Sequence, residues 1–432
     1  MTDLETILER VNLNRAFKEV VANKGSAGVD GMGVKDLRAH LRSNGAELVR
    51  DIKEGRYKPS PVRRVFIPKE NGQKRPLGIP TVVDRFMQQA VARVLSMQYE
   101  EVFSNSSHGF RPARSCSTAM DQALKHANEG YCWVVDLDLA KFFDTVNHSK
   151  LLQVVAKRVK DRRVIRLIHQ MLRAPVSEGG KIEKREIGTP QGGPISPVLA
   201  NILLNELDQE LEARGHRFVR YADDMMIFCR SKKAAYRTLE RIKPFIEKEL
   251  FLVVNGEKTK VRYITQPDVK FLGFGFWRQK DKKSGKMIVR DRPHQKSLAK
   301  CKATLKKLTS RSRGQSLDVF REKLKEYVGG WVQYYGRASM KRFVTETDEW
   351  LRRRIRQLYW RMWKKVLTKF KALRKLGMSE NQAWQWANTR KSYWHTANSW
   401  ILSTTLTNKV LKSLGWTRLA DVYHRGATPI AT

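Results

Sequence analysis

The sequence predicts an α+β fold, in which antiparallel strands mixed with helices are followed by an all-helical region. Two observations predict the first part: apolar arms flank a polar turn at residues 62–80 and again at residues 218–228, a pattern typical of β-hairpins. A third observation predicts the second part. From about residue 290 onward, apolar residues recur at helical spacing and basic residues lie between them.

The charge of the chain restricts its partners. Lysine and arginine number 84 against 43 acidic residues, a net charge of +41. A field of this sign favours a polyanion, with nucleic acid as the first candidate and a membrane surface as the second. No stretch of about 18 uncharged apolar residues occurs, so the sequence predicts no transmembrane helix and no membrane partner.

The four cysteines, Cys116, Cys132, Cys229 and Cys301, are far apart and form no Cys-x-x-Cys pair. This spacing argues against a zinc module and against a disulfide framework. The first ten residues contain three acidic side chains and no apolar run, so we expect no signal peptide. Together these features indicate a reducing, cytoplasmic location.

The first elements are predicted to be helical. Leu4, Ile7, Leu8 and Val11 are spaced for one helix face. The loop at residues 23–31 contains three glycines, which permit either a turn or a backbone nest for an anion. The loop's composition favours the turn.

The first hairpin, at residues 62–80, has an Asn-Gly turn surrounded by Lys69, Lys74 and Arg75. Such a hairpin can hold phosphates, with arginine as a bidentate clamp, or can be a solvated tip. A helix with a mostly apolar face is predicted over residues 81–102. In the loop that follows it, Arg111 is the candidate functional side chain.

A predicted buried strand at residues 133–139 is interrupted by Asp136 and Asp138, which share one face because they are two residues apart. A carboxylate in an apolar strand requires a partner or a metal ion. A Gly/Pro-rich loop at residues 187–197 then leads into a predicted helix at residues 198–211. Its glycines allow close approach of a ligand to the backbone, and Gln191 offers both a donor and an acceptor.

The second hairpin carries Tyr221-Ala222-Asp223-Asp224 at its turn. Two adjacent carboxylates repel each other unless a cation neutralises them, and oxygen ligands suit Mg²⁺; the alternative is an ordinary surface turn. If this hairpin and the strand with Asp138 pair in one sheet, three carboxylates come together. Such a set can hold two Mg²⁺ ions roughly 3.5–4 Å apart for phosphoryl transfer, which predicts a nucleotide polymerase.

The C-terminal third is basic. Residues 296–375 contain 24 lysines and arginines against 6 acidic residues, which predicts a helical bundle with a basic surface for a phosphate backbone. Residues 376–432 contain five tryptophans among scattered basic residues. These tryptophans either stack on bases or form the core of a small helical subdomain.

Seven motifs occur in an order typical of one family: Arg75-Pro76-Leu77-Gly78-Ile79-Pro80, Gly109-Phe110-Arg111-Pro112, Asp138 with Phe142-Phe143-Asp144, Gly188-Thr189-Pro190-Gln191-Gly192-Gly193, Tyr221-Ala222-Asp223-Asp224, Asn255-x-x-Lys258-Thr259 and Leu272-Gly273-Phe274. The chain therefore resembles a bacterial group II intron reverse transcriptase, or maturase. The resemblance covers roughly residues 10–280 and continues more weakly to the end.

The resemblance implies a right-hand polymerase with fingers and palm, followed by an all-helical thumb and a small C-terminal helical region. It assigns residues 1–60 to an N-terminal extension and the start of the fingers, and residues 61–290 to the fingers and palm. Residues 291–375 correspond to the thumb, or maturase X domain. Residues 376–432 correspond to a DNA-binding region.

The resemblance also implies roles for single residues. Asp138, Asp223 and Asp224 match the carboxylates that bind two Mg²⁺ ions, and Asp136 is not among them. The residues matched to dNTP binding are Lys69, Arg75, Arg111, Phe143 and Gln191, with Phe143 as the aromatic gate that selects dNTPs over rNTPs. Lys258 is placed as a general acid for pyrophosphate. Phe271, Leu272, Gly273 and Phe274 resemble the primer grip.

The implied partners are intron RNA, an RNA template with a DNA primer, a DNA target and dNTPs; the oligomeric state stays open, a homodimer included. Many family members end in a Cys-rich HNH endonuclease, but no cysteine follows Cys301, so we expect no endonuclease domain. One alternative is an RNA-binding splicing maturase without polymerase activity, which the three intact aspartates disfavour. Another is a retron or diversity-generating reverse transcriptase, which the long basic C-terminal region disfavours.

Overall fold

The computed structural model describes residues 2–68, 72–282, 284–310 and 316–426, with the side chains of residues 425 and 426 left aside. The chain folds as two compact units, Met1–Val269 and Lys270–Thr432. Strands and helices alternate in the first unit, whereas the second consists of one hairpin followed by helices. The predicted α+β class with a helical C-terminal region is confirmed.

The first unit contains the helices α1 (Leu4–Leu8), α2 (Arg10–Ala22), α3 (Leu37–Lys53), α4 (Val82–Glu100), α5 (Cys116–Asn128), α6 (Phe142–Thr145), α7 (His148–Ala156), α8 (Arg162–Leu172), α9 (Ser196–Ala213) and α10 (Lys232–Pro244), the last extended by a π-helical turn, Phe245–Glu249. Its strands are β1 (Val62–Pro68), β2 (Lys74–Ile79), β3 (Trp133–Leu137), β4 (Val176–Glu178), β5 (Lys181–Glu183), β6 (Arg217–Tyr221), β7 (Asp224–Cys229) and β8 (Lys260–Tyr263).

Two sheets organise this unit. One has the order β2-β1-β4-β5, in which only the β1–β4 pairing is parallel. The other has the order β6-β7-β3-β8 and is antiparallel throughout. In it, β3 pairs with β7 so that Leu137 lies opposite Met225. The strand that leads to Asp138 and the second hairpin are therefore neighbours, as the sequence predicts.

The core of the first unit lies between this second sheet and helices α4, α7, α8 and α9. Val135, Leu95, Leu167 and Leu203 are each buried in it. The N-terminal residues 1–60 also belong to this core, since Leu4 and Ile7 are buried there.

The N-terminal helix differs from the sequence prediction. The spacing of Leu4, Ile7, Leu8 and Val11 predicts one continuous helix, but the chain breaks at Glu9, whose φ of −58° and ψ of 135° leave the helical region. The break separates α1 from α2 and leaves Val11 exposed.

The second unit contains the antiparallel hairpin β9 (Phe274–Lys280) and β10 (Met287–Pro293). Its helices are α11 (Gln295–Leu308), α12 (Leu317–Tyr335), α13 (Lys341–Met362), α14 (Val366–Lys375), α15 (Glu380–Ala387), α16 (Tyr393–Thr396), α17 (Trp400–Thr405), α18 (Asn408–Ser413) and α19 (Leu419–Gly426). None of the described helices is long and apolar enough to cross a membrane.

The second unit begins at Lys270. Within it, Phe274 of β9 packs on Tyr334 and Tyr335 of α12. The expected division into fingers and palm, thumb and DNA-binding region stays a prediction. Residues 376–432 share one hydrophobic core with residues 291–375. Trp416, for example, is buried and donates to the hydroxyl of Tyr359 over 3.0 Å.

Candidate active site

The turn of the β6–β7 hairpin carries the two adjacent aspartates. Tyr221 pairs with Asp224, so Ala222 and Asp223 form a two-residue turn between the strands. Ala222 has a φ of +57°, the left-handed conformation that glycine normally supplies at the first position of such a turn. A non-glycine residue there requires support from its surroundings.

That support comes from the loop that contains Gly109. A Cβ atom added at Gly109 would lie 2.4 Å from the Ala222 nitrogen, so only glycine allows the two backbones to approach this closely. The Asn201 amide donates to the Gly109 carbonyl over 2.8 Å. The Arg220 Nη1 group donates to the Ala222 carbonyl over 3.0 Å. The turn is thus held from both sides.

Arg220 and Asp208 form a buried ion pair directly behind the turn. Both side chains are nearly inaccessible to solvent, with relative exposures of 1% and 0%. Arg220 Nε donates to Asp208 Oδ1 over 2.7 Å, and Nη1 donates to Asn201 Oδ1 over 2.9 Å. None of these three residues was predicted from the sequence, although an arginine inside the apolar run Phe218-Val219-Arg220-Tyr221 already indicates a buried partner.

Asp138 follows β3 and is fixed by the segment at residues 254–259. Its N–H group donates to Thr259 Oγ1 over 3.2 Å, and its carbonyl accepts from the Asn255 N–H over 2.9 Å. The Lys258 Nζ atom lies 3.4 Å from Asp138 Oδ2. The Asn255-x-x-Lys258-Thr259 motif therefore positions the aspartate and places a cation beside it.

The carboxylates perturb one another. Burial, together with Asp224 and Asp138 nearby, raises the pKa of Asp136 to about 7. Burial also raises the pKa of Asp223, an effect that Asp138 reinforces and Arg75 opposes. Clustered carboxylates with raised pKa values are stabilised in their charged form by a cation.

The donors suit a hard divalent cation, since carboxylate oxygens are the ligands that Mg²⁺ prefers. Asp138 Oδ2 is buried and accepts no hydrogen bond from the described residues, and the Lys258 ammonium group lies 3.4 Å from it. Within residues 2–426, apart from the gaps noted above, no three His, Cys, Asp or Glu side chains already stand in the arrangement of a metal site. The aspartates are thus compatible with Mg²⁺ without forming a closed ligand set.

A cavity of about 1040 Å³ brings most of the predicted site residues together. Seven of the expected metal, nucleotide and acid groups line it: Asp138, Asp223, Asp224, Lys258, Arg75, Phe143 and Gln191. Asn23 and Gly25 of the first glycine loop also line it, as does the exposed ring of Phe110.

The three motifs expected to contact the nucleotide are joined through their backbones. The Gly78 N–H of β2 donates to the Gln191 carbonyl over 2.7 Å. Gly192 has a φ of +126°, and a Cβ there would lie 2.5 Å from the Gly78 carbonyl oxygen. The Thr189 N–H donates to the Phe143 carbonyl over 2.6 Å. The first hairpin, the glutamine loop and the aromatic segment therefore have fixed relative positions.

Arg111 occupies a different place from the one expected of a dNTP ligand. Its side chain is buried, forms an ion pair with Glu100, and donates from Nη1 to the carbonyls of Ser104 and Ser107. It does not line the cavity. Its donors are thus engaged inside the protein, on the loop beside β6, and its contact with a nucleotide stays a prediction.

Lys69 and the primer grip are the remaining predicted site residues. Lys69 lies outside the described residues. The predicted primer-grip residues 271–274 belong to the second unit, where Phe271 forms a bridge to Phe274 and the ring of Phe274 stacks on Tyr334 with centroids 5.7 Å apart. Tyr334 donates to the Leu272 carbonyl over 2.9 Å.

Comparison with known families matches both units. Residues 67–276 match the family model described as reverse transcriptase (RNA-dependent DNA polymerase). Residues 298–377 match the model described as the group II intron, maturase-specific domain. No endonuclease domain is found in the 432 residues.

The chain is 32% identical to the group II intron-encoded protein LtrA of Lactococcus lactis over 64% of this chain and 57% of LtrA. It is 32% identical to protein YkfC of Escherichia coli over 66% of this chain and 85% of YkfC. It is also 30% identical to the putative COX1/OXI3 intron 2 protein of Saccharomyces cerevisiae, over 63% of this chain and 38% of that protein. The chain thus spans little more than half the length of LtrA.

The motif order, the two matched models and the similarity over most of YkfC agree with one another. The chain belongs to the family of group II intron-encoded reverse transcriptases and maturases.

Proposed function

We propose that this protein is an RNA-directed DNA polymerase encoded by a group II intron, and that it also binds the intron RNA as a maturase to assist splicing and retrohoming. The observation that supports the polymerase most is the 1040 Å³ cavity, which contains three aspartates and the residues expected to contact a nucleotide. The substrates are an RNA template with a DNA primer, and dNTPs.

The predicted site residues that line the cavity have separate roles in this proposal. Arg75 contacts the triphosphate, since a guanidinium matches phosphate oxygens in two hydrogen bonds. Gln191 lies beside the incoming nucleotide, on a loop fixed to β2. Phe143 packs edge-on against the buried Phe142, with centroids 5.1 Å apart. Its ring then has the rigid support that excluding a ribose 2′-hydroxyl requires.

Asp138, Asp223 and Asp224 would hold two Mg²⁺ ions, which when bound activate the primer 3′-hydroxyl and neutralise the leaving pyrophosphate. Lys258 serves as the general acid in this proposal. Its ammonium group lies 3.4 Å from Asp138 Oδ2, directly beside the proposed metal site.

The maturase role is supported by the match of residues 298–377 and by the basic side chains of the second unit. Exposed aromatic rings there, Trp384 and Trp400, suit stacking on bases. The DNA target is proposed to contact residues 376–432, and Trp416 serves the core instead because it is buried.

Primer extension tests the polymerase proposal. The full chain is incubated with an RNA template, an annealed DNA primer, dNTPs and Mg²⁺, and we expect cDNA that EDTA abolishes. A folded protein that binds intron RNA tightly yet makes no cDNA would instead be a maturase without polymerase activity. An open reading frame outside any intron RNA would favour the retron or diversity-generating alternative.

A further inference from the structure

A second cavity of the first unit lies at the open end of the β6–β7 hairpin, opposite the catalytic turn. Its volume is about 540 Å³, and its lining includes Arg217 at the start of β6 and Cys229 at the end of β7. Ala222 lies five positions after Arg217, which at about 3.3 Å per residue places this cavity roughly 16 Å from the turn. It shares no lining residue with the catalytic cavity.

The chemistry of this second cavity is uniform. Five arginines from the end of α9, from the hairpin and from α10 line it: Arg214, Arg217, Arg230, Arg237 and Arg241. All five are exposed. No carboxylate and no lysine is among the described residues that line it. We call these five residues the arginine cluster.

Internal contacts hold only part of the cluster. The Arg230 guanidinium lies over the Tyr131 ring, 4.6 Å from its centroid, and donates to the Tyr131 hydroxyl over 3.4 Å. Arg214 pairs with Glu210 on α9 and donates to the Arg241 carbonyl over 3.3 Å. Arg217 also contacts the Tyr131 side chain, so internal contacts orient three of the five guanidinium groups.

The two arginines that α10 contributes to the cluster have no such internal partners among the described residues. Arg237 and Arg241 are one helical turn apart, and like charges at this spacing repel. Their guanidinium groups make no hydrogen bond or ion pair with any residue in the part of the chain that the structure describes. Several phosphate groups entering the cavity would remove this repulsion and satisfy the donors.

We propose that the arginine cluster binds the phosphate backbone of a folded RNA, at a site separate from the one that holds template and primer. The proposal rests on the proposed function for the identity of the polyanion. The cluster consists of arginines without a lysine, and the guanidinium group of arginine recognises phosphate oxygens through two parallel hydrogen bonds. The concave shape fits a ridge of sugar-phosphate backbone, through which double-stranded RNA is largely recognised, better than it fits a flat membrane surface.

The test measures RNA binding to protein whose template site is already filled. The full chain is saturated with poly(rA)/oligo(dT), and a blunt, fluorescein-labelled RNA duplex of two helical turns is titrated by anisotropy. The variant R237Q/R241Q should weaken duplex binding about tenfold, as expected from the loss of two charge-assisted contacts. The slope of log K against log salt should fall by about 2, since each phosphate contact contributes roughly 0.9.

The matched control is K243Q/K248Q, which removes two positive charges from the same helical stretch but outside the cavity. It should change duplex affinity less than twofold. If both variants lost the same duplex affinity, the loss would reflect the lower net charge alone, and the proposal would be overturned. Unchanged affinity in R237Q/R241Q would also overturn it.

Two further readouts separate the alternatives. Primer extension by R237Q/R241Q should keep the wild-type kcat and KM; a parallel loss would place the arginines in the template path and overturn the separate site. If R237Q/R241Q lost binding to phosphatidylserine vesicles but kept wild-type duplex binding, the RNA proposal would be overturned in favour of a membrane surface. Failure of wild-type primer extension alone would contradict the polymerase proposal, while duplex binding would still report on the arginine cluster.

Discussion

The two ends of the β6–β7 hairpin carry opposite charges and are built in opposite ways. At the turn, two aspartates rest on a backbone fixed by Gly109, Asn201 and Arg220. At the open end, the arginine cluster consists of exposed side chains with few internal contacts. Phosphoryl transfer depends on position to within an ångström, whereas attraction to a phosphate backbone tolerates mobile side chains.

The first prediction separates the two ends by charge. Asp223→Asn keeps the shape of the side chain and removes its charge, so primer extension should fall by at least roughly 10²–10³-fold, the cost of removing one preorganised electrostatic group. Duplex binding to the arginine cluster should stay within twofold of wild type by anisotropy. Parallel losses in both assays would show that the ends do not act separately.

The second prediction tests the rigidity of the turn. In Gly109→Ala, the added Cβ would lie 2.4 Å from the Ala222 nitrogen, which must displace the turn and lower kcat by up to roughly 10²-fold. Gly45→Ala in α3 is the control, because its Cβ would meet only an ordinary contact of 3.9 Å with Leu41. Wild-type kcat in Gly109→Ala would mean that the turn needs no support from this loop.

The third prediction concerns the selection of dNTPs over rNTPs in the cavity at the turn of the hairpin. Phe143→Ala should raise incorporation of rNTPs relative to dNTPs by roughly 10- to 100-fold, the usual range for one apolar contact in a binding pocket. Single-nucleotide extension with each substrate measures the ratio of the two kcat/KM values. Unchanged selectivity would remove the gate role from Phe143 and leave it as packing for Phe142.

The smallest effect is expected at Arg111, whose side chain contacts the loop beside β6 and does not line the cavity. Arg111→Lys loses the bidentate contact with Glu100 and one of the two carbonyl contacts, which should lower the free energy of unfolding by about 1–3 kcal/mol. The KM for dNTPs should not change. A selective rise in that KM with wild-type stability would restore the role of nucleotide ligand.

Local patterns predicted the elements of the first unit because turn chemistry and apolar alternation act over a few residues. Both hairpins, the strand before Asp138 and the helix over residues 81–102 form close to where these patterns place them. The helix break at Glu9 and the start of the second unit at Lys270 were not predicted. Both depend on packing between elements that are distant in sequence.

The candidate site likewise contains some residues that could be predicted from the sequence and others that could not. Residue chemistry and motif order together selected seven of the residues that line the 1040 Å³ cavity. The internal partners of Arg111 could not be predicted, because only folding brings Glu100, Ser104 and Ser107 beside this loop arginine. Arg220 and Asp208 were missed because they pair across two different elements, α9 and β6.

By itself the sequence determined the fold class, the family and the chemical types present: aspartates for a metal, cations for phosphates, glycines for close backbone contacts. These follow from residue types and short spacings, which the chain carries wherever it folds. Only the tertiary structure decided which charges are buried in pairs and which stay exposed. Arginines 220 and 217 lie on one strand, yet the first is paired with Asp208 inside the protein and the second lines an open cavity. The physical reason is that burial and pairing depend on residues contributed by α9 and α10, which only folding brings to that strand.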